Sequence, residues 1–209
     1  MEISWTPPPA RPGPAGWGDR FIGPGATAAE VWLQLGAALG LAALLLGFSL
    51  GAAEAPWSAL QVGLLALLAV DMTGGVITNA TSAAKRWYHR PGQGPGAHLA
   101  FVLPHGAHLA LLAWAFPEMG WSFALACFLY LVAAAGLVLL APLYLQRPLA
   151  LAVYVGALLL NLVLAPPAAL AWVAPVFFLK LLVAHLLKEA PFRPGAAPAA
   201  LEPAPIAER

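Results

Sequence analysis

The sequence is poor in charge: 9% of its 209 residues are Asp, Glu, Lys or Arg, and 61% are apolar. A soluble domain carries about a quarter charged residues, and a water-soluble fold of this size has no interior large enough to hide so much apolar surface. A bilayer removes that problem by acting as the solvent. Cysteine is scarce too. Cys127 stands alone in an apolar run, which excludes an internal disulfide framework and a cysteine-based metal knuckle. The net charge is +1, so no basic excess points to a nucleic-acid partner. Residues 1–25 lack the apolar core and small-residue cleavage site of a secretory signal. Their Pro, Gly and Trp content predicts an irregular cytoplasmic leader.

What is abundant is apolar sequence in long runs. Six runs, near 28–52, 57–81, 97–116, 120–142, 148–166 and 168–188, are each long enough to cross about 30 Å of hydrocarbon. The expected fold is all-α, a polytopic integral membrane bundle of about six transmembrane helices over 26–189. An Ala- and Pro-rich flexible cytoplasmic tail is expected over 190–209. Glu54-Ala-Pro56, the loop from Lys85 to Gly96, Pro117-Glu118, Gln146-Arg147-Pro148 and Pro166-Pro167 punctuate the runs. With the N-terminus inside, Arg11, Arg20, Lys85, Arg86, Arg90, Arg147, Lys188, Arg193 and Arg209 fall on the cytoplasmic side. Glu54 and Glu118 fall on the other. That distribution follows the positive-inside rule and predicts a cytoplasmic (inner) membrane location with both ends inside. Trp57, Trp114, Trp121 and Trp172 near one set of helix ends, and Trp32, Trp87, Tyr88 and Tyr144 near the other, match the interfacial preference of these side chains.

Polar residues inside the spans stand out against this background. Asp71 sits midway along the second span, where an aspartate costs on the order of 3 kcal/mol. If the helix runs on, Thr78 and Ser82 lie about 20° to either side of Asp71, with Asn79 at the margin. Gly74 and Gly75 make that face small as well as polar, suited to close helix contact. On the third span His105 lies about 20° from His98 around the axis and His108 about 80°. Pro104 frees a backbone carbonyl beside them. At 1.5 Å per residue, Asp71, His105 and His108 all lie about 12–16 Å from the cytoplasmic helix ends. Lys180 on the sixth span lies slightly nearer the cytoplasm, and Pro175 is expected to kink that helix. His98 and His185 read as interfacial residues.

Two imidazoles and a carboxylate are good ligands for a divalent metal such as zinc and leave a position open for water. Asp71, His105 and His108 are therefore the expected catalytic residues and metal ligands. Thr78, Asn79, Ser82 and Lys180 are expected to contact substrate. Lys85, Arg86, Trp87 and Arg90 form a basic, aromatic loop expected to contact anionic lipid headgroups. This reading is a membrane-embedded metal-dependent enzyme acting on a lipid-like substrate. Two others use the same residues. A small proton- or ion-coupled transporter would use Asp71 and the histidines as carriers. A non-enzymatic membrane subunit or assembly factor would use the polar face as helix glue. Membrane lipids are the expected partners, with a homo-oligomer open.

Overall fold

The computed structural model describes residues 2–54 and 56–193. The tail expected over 190–209 lies, from residue 194 onward, outside the described residues. The fold is an all-α bundle containing six helices long and apolar enough to cross a membrane. These are α2 (Ala28–Ala52), α3 (Ala59–Ala80), the Pro95–Ala115 span, the Pro117–Leu140 span containing α7 (Gly120–Leu140), α8 (Leu143–Leu164) and the Ala168–His185 span.

Local chemistry sets the helix starts. Thr27 and Ser58 each accept a hydrogen bond from the backbone of the third helical residue, Glu30 and Gln61, whose side chains bond back to the cap. This reciprocal box satisfies two orphan N–H groups at each start. Within segment 1–25 the chain is not wholly irregular. A nine-residue helix, α1 (Pro14–Ile22), follows Gly13, and Arg11 ties it to the preceding chain through a 2.6 Å ion pair with Asp19. It docks on α4 (Ser82–Tyr88), where the Tyr88 hydroxyl donates to the Phe21 carbonyl at 3.0 Å. A two-residue antiparallel pairing, β1 (Glu2–Ile3) with β2 (Phe192–Arg193), joins the two ends of the described chain.

Three details differ from expectation. The fourth break falls at Ala141-Pro142 and not at Gln146–Pro148. Ala141 is extended (φ −71°, ψ 145°), as a residue before proline prefers to be. Pro148 lies inside α8. It forfeits only the bond to the Tyr144 carbonyl, and Tyr144 is exposed at the helix end. Second, α3 does not run on to Ser82. Thr81 turns extended (φ −68°, ψ 150°) and its hydroxyl accepts from the Ala84 N–H, starting α4. Third, Pro175 falls in the first turn of α9 (Val173–Phe178), where a missing N–H costs little. The irregularity of the last span is a π-helical stretch, Leu179–His185. Such wide turns concentrate at functional positions.

The last span is the most buried of the six, and α3 packs against both it and α2. Small residues permit this. A Cβ on Gly74 would stand 3.1 Å from Ala38 Cβ of α2, and next to it Thr73 donates to the Ala38 carbonyl at 3.1 Å. Large apolar side chains on the outer faces, among them Leu44, Leu67, Leu129, Leu162 and Val163, are exposed. Lipid is the solvent that suits them.

Candidate metal centre

Pro104 shapes the third span locally. With no N–H at residue 104 the helix α5 (Pro95–Val102) tightens into a 3₁₀ turn, Leu103–His105, before continuing as α6 (Gly106–Ala115). The turn leaves the Phe101 carbonyl to His105, whose Nδ1 bonds it at 2.8 Å. His108 Nδ1 bonds the His105 carbonyl at 3.2 Å. A carbonyl can only accept, so both Nδ1 atoms carry a proton, and Nε2 is the ring atom each histidine has left for another partner. The two rings stack, centroids 5.0 Å apart and 15° from parallel.

Asp71 comes from α3 at the same level. His108 Nε2 lies 3.1 Å from Asp71 Oδ2, and ligand atoms of Asp71, His105 and His108 all lie within 4.8 Å of one another. A lone pair facing a carboxylate at 3.1 Å is repulsive unless a proton or a metal ion serves both. A zinc ion bonded to N and O at 2.0–2.2 Å would separate those atoms by about 3.3 Å at a tetrahedral centre. Carbonyl-anchored imidazoles are the usual outer shell of such a site.

Lys180 completes the charge balance. Its Nζ donates to Asp71 Oδ2 at 2.6 Å, and its side chain is 3% exposed against 35% for Asp71. Its stem crosses Gly75, where a Cβ would stand 2.3 Å from Lys180 Cε. Glycine at 75 is thus what lets the ammonium reach Asp71. Gly75→Ala should displace Lys180 and lower the unfolding free energy in detergent by about 1–3 kcal/mol, as overpacking does. An unchanged melting profile would contradict this.

Asp71 also lines an open groove of about 430 Å³ between α2 and α3. Val31, Leu35, Leu67 and Val70 make it apolar, and among the described residues Asp71 is the one charged residue lining it. The carboxylate therefore faces both the histidines and a lipid-sized apolar space.

The other expected site residues lie elsewhere. Thr78 lines the same groove two turns from Asp71, but its hydroxyl donates to Gln34 Oε1 at 2.8 Å. Asn79 is buried, and its Nδ2 has no partner among the described residues. Ser82 starts α4, beyond the bend at Thr81, so the helical arithmetic that aligned it with Asp71 does not apply. Lys85 and Arg86 are 2% and 1% exposed, pointing inward and not to a headgroup layer. Lys85 Nζ donates to the carbonyls of Ala184 and Leu187, each at 2.6 Å, and lies 3.6 Å from Glu189. Burial pushes its ammonium down, to about 8. Arg90 covers the Trp87 ring at 3.7 Å, and both remain partly exposed.

One arrangement was not readable from helix angles. All five histidines fall into a single file of ring contacts. His89 lies 4.5 Å from His98, and His98 5.2 Å from His185. His185 stacks on Phe101 at 3.9 Å, and Phe101 meets His105 at 5.0 Å. His98 Nδ1 and His185 Nε2 are 3.3 Å apart. The sequence signal is faint: four of the five histidines fall between residues 89 and 108, but only the π-helical end of the last span brings His185 to them. Comparison with protein-family models, curated proteins and solved structures returned no match.

Proposed function

We propose that this chain is a membrane-embedded, metal-dependent enzyme acting on a lipid-like substrate, with Asp71, His105 and His108 as metal ligands. The observation that carries the reading is the cluster of two carbonyl-anchored imidazoles and one carboxylate, whose ligand atoms all lie within 4.8 Å of one another. A divalent ion held by three protein ligands keeps a place for water and lowers its pKa to near 7, making a nucleophile at neutral pH. Lys180 holds the carboxylate in place and offsets charge that develops on the substrate. The apolar groove ending at Asp71 admits an acyl chain from the bilayer directly to the centre. The protein sits in the cytoplasmic membrane with both termini inside, a reading supported by its distribution of basic residues.

The histidine file favours a second reading, a proton- or ion-coupled carrier, since imidazoles in sequence are suited to pass protons. Metal analysis separates the two. Protein purified in detergent should hold about one zinc-like ion per chain, lost in His105→Ala and in Asp71→Ala. Metal-free wild type, with Asp71-dependent proton flux in proteoliposomes, would move the reading to the carrier.

A further inference from the structure

A second polar site lies at the opposite end of the histidine file, in the cleft where two transmembrane helices begin. A pocket of about 140 Å³ opens there. Gly94 and Pro95, at the start of α5, form one wall, and Leu143, the first residue of α8, forms another. Neither helix start has a side-chain cap or an acidic residue in its first turn. The Gly96 N–H at the start of α5, and those of Leu143 and Tyr144 at the start of α8, have no partner among the described residues, and each helix adds the positive end of its dipole. Among the described residues the remaining polar lining is His89, Gln93, His98, Gln146 and Lys188, with no carboxylate.

His98 is nine-tenths buried, and its protonation can be read from its neighbour. His185 Nδ1 is buried with no partner among the described residues. A bare lone pair there costs less than an orphaned N–H, so the proton sits on His185 Nε2, which donates to His98 Nδ1 at 3.3 Å. His98 must then carry its own proton on Nε2, a donor without a partner among the described residues, on a side chain that lines the pocket. His89 stays neutral, because burial pushes it down to about 3, and its Nε2–H donates to the His185 carbonyl. Lys188 supplies a full positive charge, held across the Trp5 ring at 4.7 Å.

Donors and positive potential thus converge from four sides on a space lined by no acid among the described residues. We infer that this pocket binds a phosphate group, presented by a lipid headgroup or as free phosphate. Helix starts and a lysine are the usual means of holding such an anion. An adjoining depression of about 540 Å³ shares Leu143, Gln146 and Lys188 with the pocket and adds two cations, Lys85 and Arg147, against one carboxylate, Glu189, so the rest of a headgroup has room beside the phosphate. This site is independent of the proposed metal centre.

Full-length protein in a non-ionic detergent is titrated with inorganic phosphate, with dihexanoyl phosphatidic acid and with uncharged dihexanoylglycerol, heat being recorded. Two variants accompany it. Lys188→Gln removes the charge. Gly94→Asp places a carboxylate at the start of α5, where an added Cβ meets nothing within 4 Å and an aspartate caps well. Saturable binding of inorganic phosphate, weakened at least tenfold in both variants, establishes the site as one for free phosphate. Binding of the phosphatidic acid alone, with the same loss and none to dihexanoylglycerol, establishes it as a headgroup site. No saturable binding of either, or equal affinity in both variants and wild type, overturns it. Both variants should keep wild-type metal content, so failure here leaves the Asp71 centre untouched.

Discussion

Asp71→Asn should lower the unfolding free energy by about 3 kcal/mol, the lower end of what breaking a buried ion pair costs. The asymmetry of the pair sets the value. Lys180 is 3% exposed, whereas Asp71 is about one-third exposed. Removing the carboxylate strands a buried ammonium that has no water to turn to. Removing the ammonium leaves a carboxylate that keeps His108 at 3.1 Å and an open groove. Lys180→Met should therefore cost less, about 1 kcal/mol. The double variant should be more stable than Asp71→Asn alone, because it no longer buries an unpaired charge. Reversible unfolding in mixed micelles measures all three, and the cycle isolates the coupling. A double variant as unstable as the sum of the singles would mean that the two groups do not act as a pair.

Lys85→Met is expected to cost about 2–3 kcal/mol by a different route. The last turn of a helix ends in carbonyls without intrahelical donors. Here the ammonium of Lys85 fills the carbonyls of Ala184 and Leu187. Methionine preserves the stem and removes the donor, leaving two buried acceptors unfilled. The pH dependence has a definite sign. Lys85 loses its proton near pH 8 in the fold, against 10.5 for an ordinary lysine. Between those values the unfolded chain binds the proton that the folded chain has released, so stability rises with pH across that window. Wild type should gain stability from pH 8 to 10.5 relative to Lys85→Met, in which the contribution is absent. A pH-independent difference between the two would show that Lys85 keeps its proton in the fold.

Much of the fold was legible because bilayer thickness acts on length and composition alone. Six apolar runs became six spans, with Glu54, Pro117 and Pro166-Pro167 at breaks. The errors came where backbone chemistry competes with hydropathy. Pro148 has the sequence character of a break but is tolerated near the start of α8, while the extended residue before Pro142 makes the turn. Helical arithmetic aligns Ser82 with Asp71, but the capping threonine at 81 interrupts the helix between them. The charge of the loop Lys85–Arg90 points to headgroups, yet Lys85 turns inward because the carbonyls of Ala184 and Leu187 need a donor, and Arg86 is buried beside it.

For the candidate centre the division is sharper. The sequence by itself determined that this is a membrane bundle, and that Asp71, His105 and His108 lie at one depth. Both follow from rise per residue and the cost of polar groups in hydrocarbon. Only the tertiary structure decided that Lys180 reaches Asp71 over Gly75, that the Asp71 groove opens to the outside of the bundle, and that His89, His98 and His185 gather at the start of α5. Those depend on which helices are neighbours and how each is rotated. Six spans of Leu, Ala, Val and Gly leave rotation to close packing, and packing is a property of the assembled bundle.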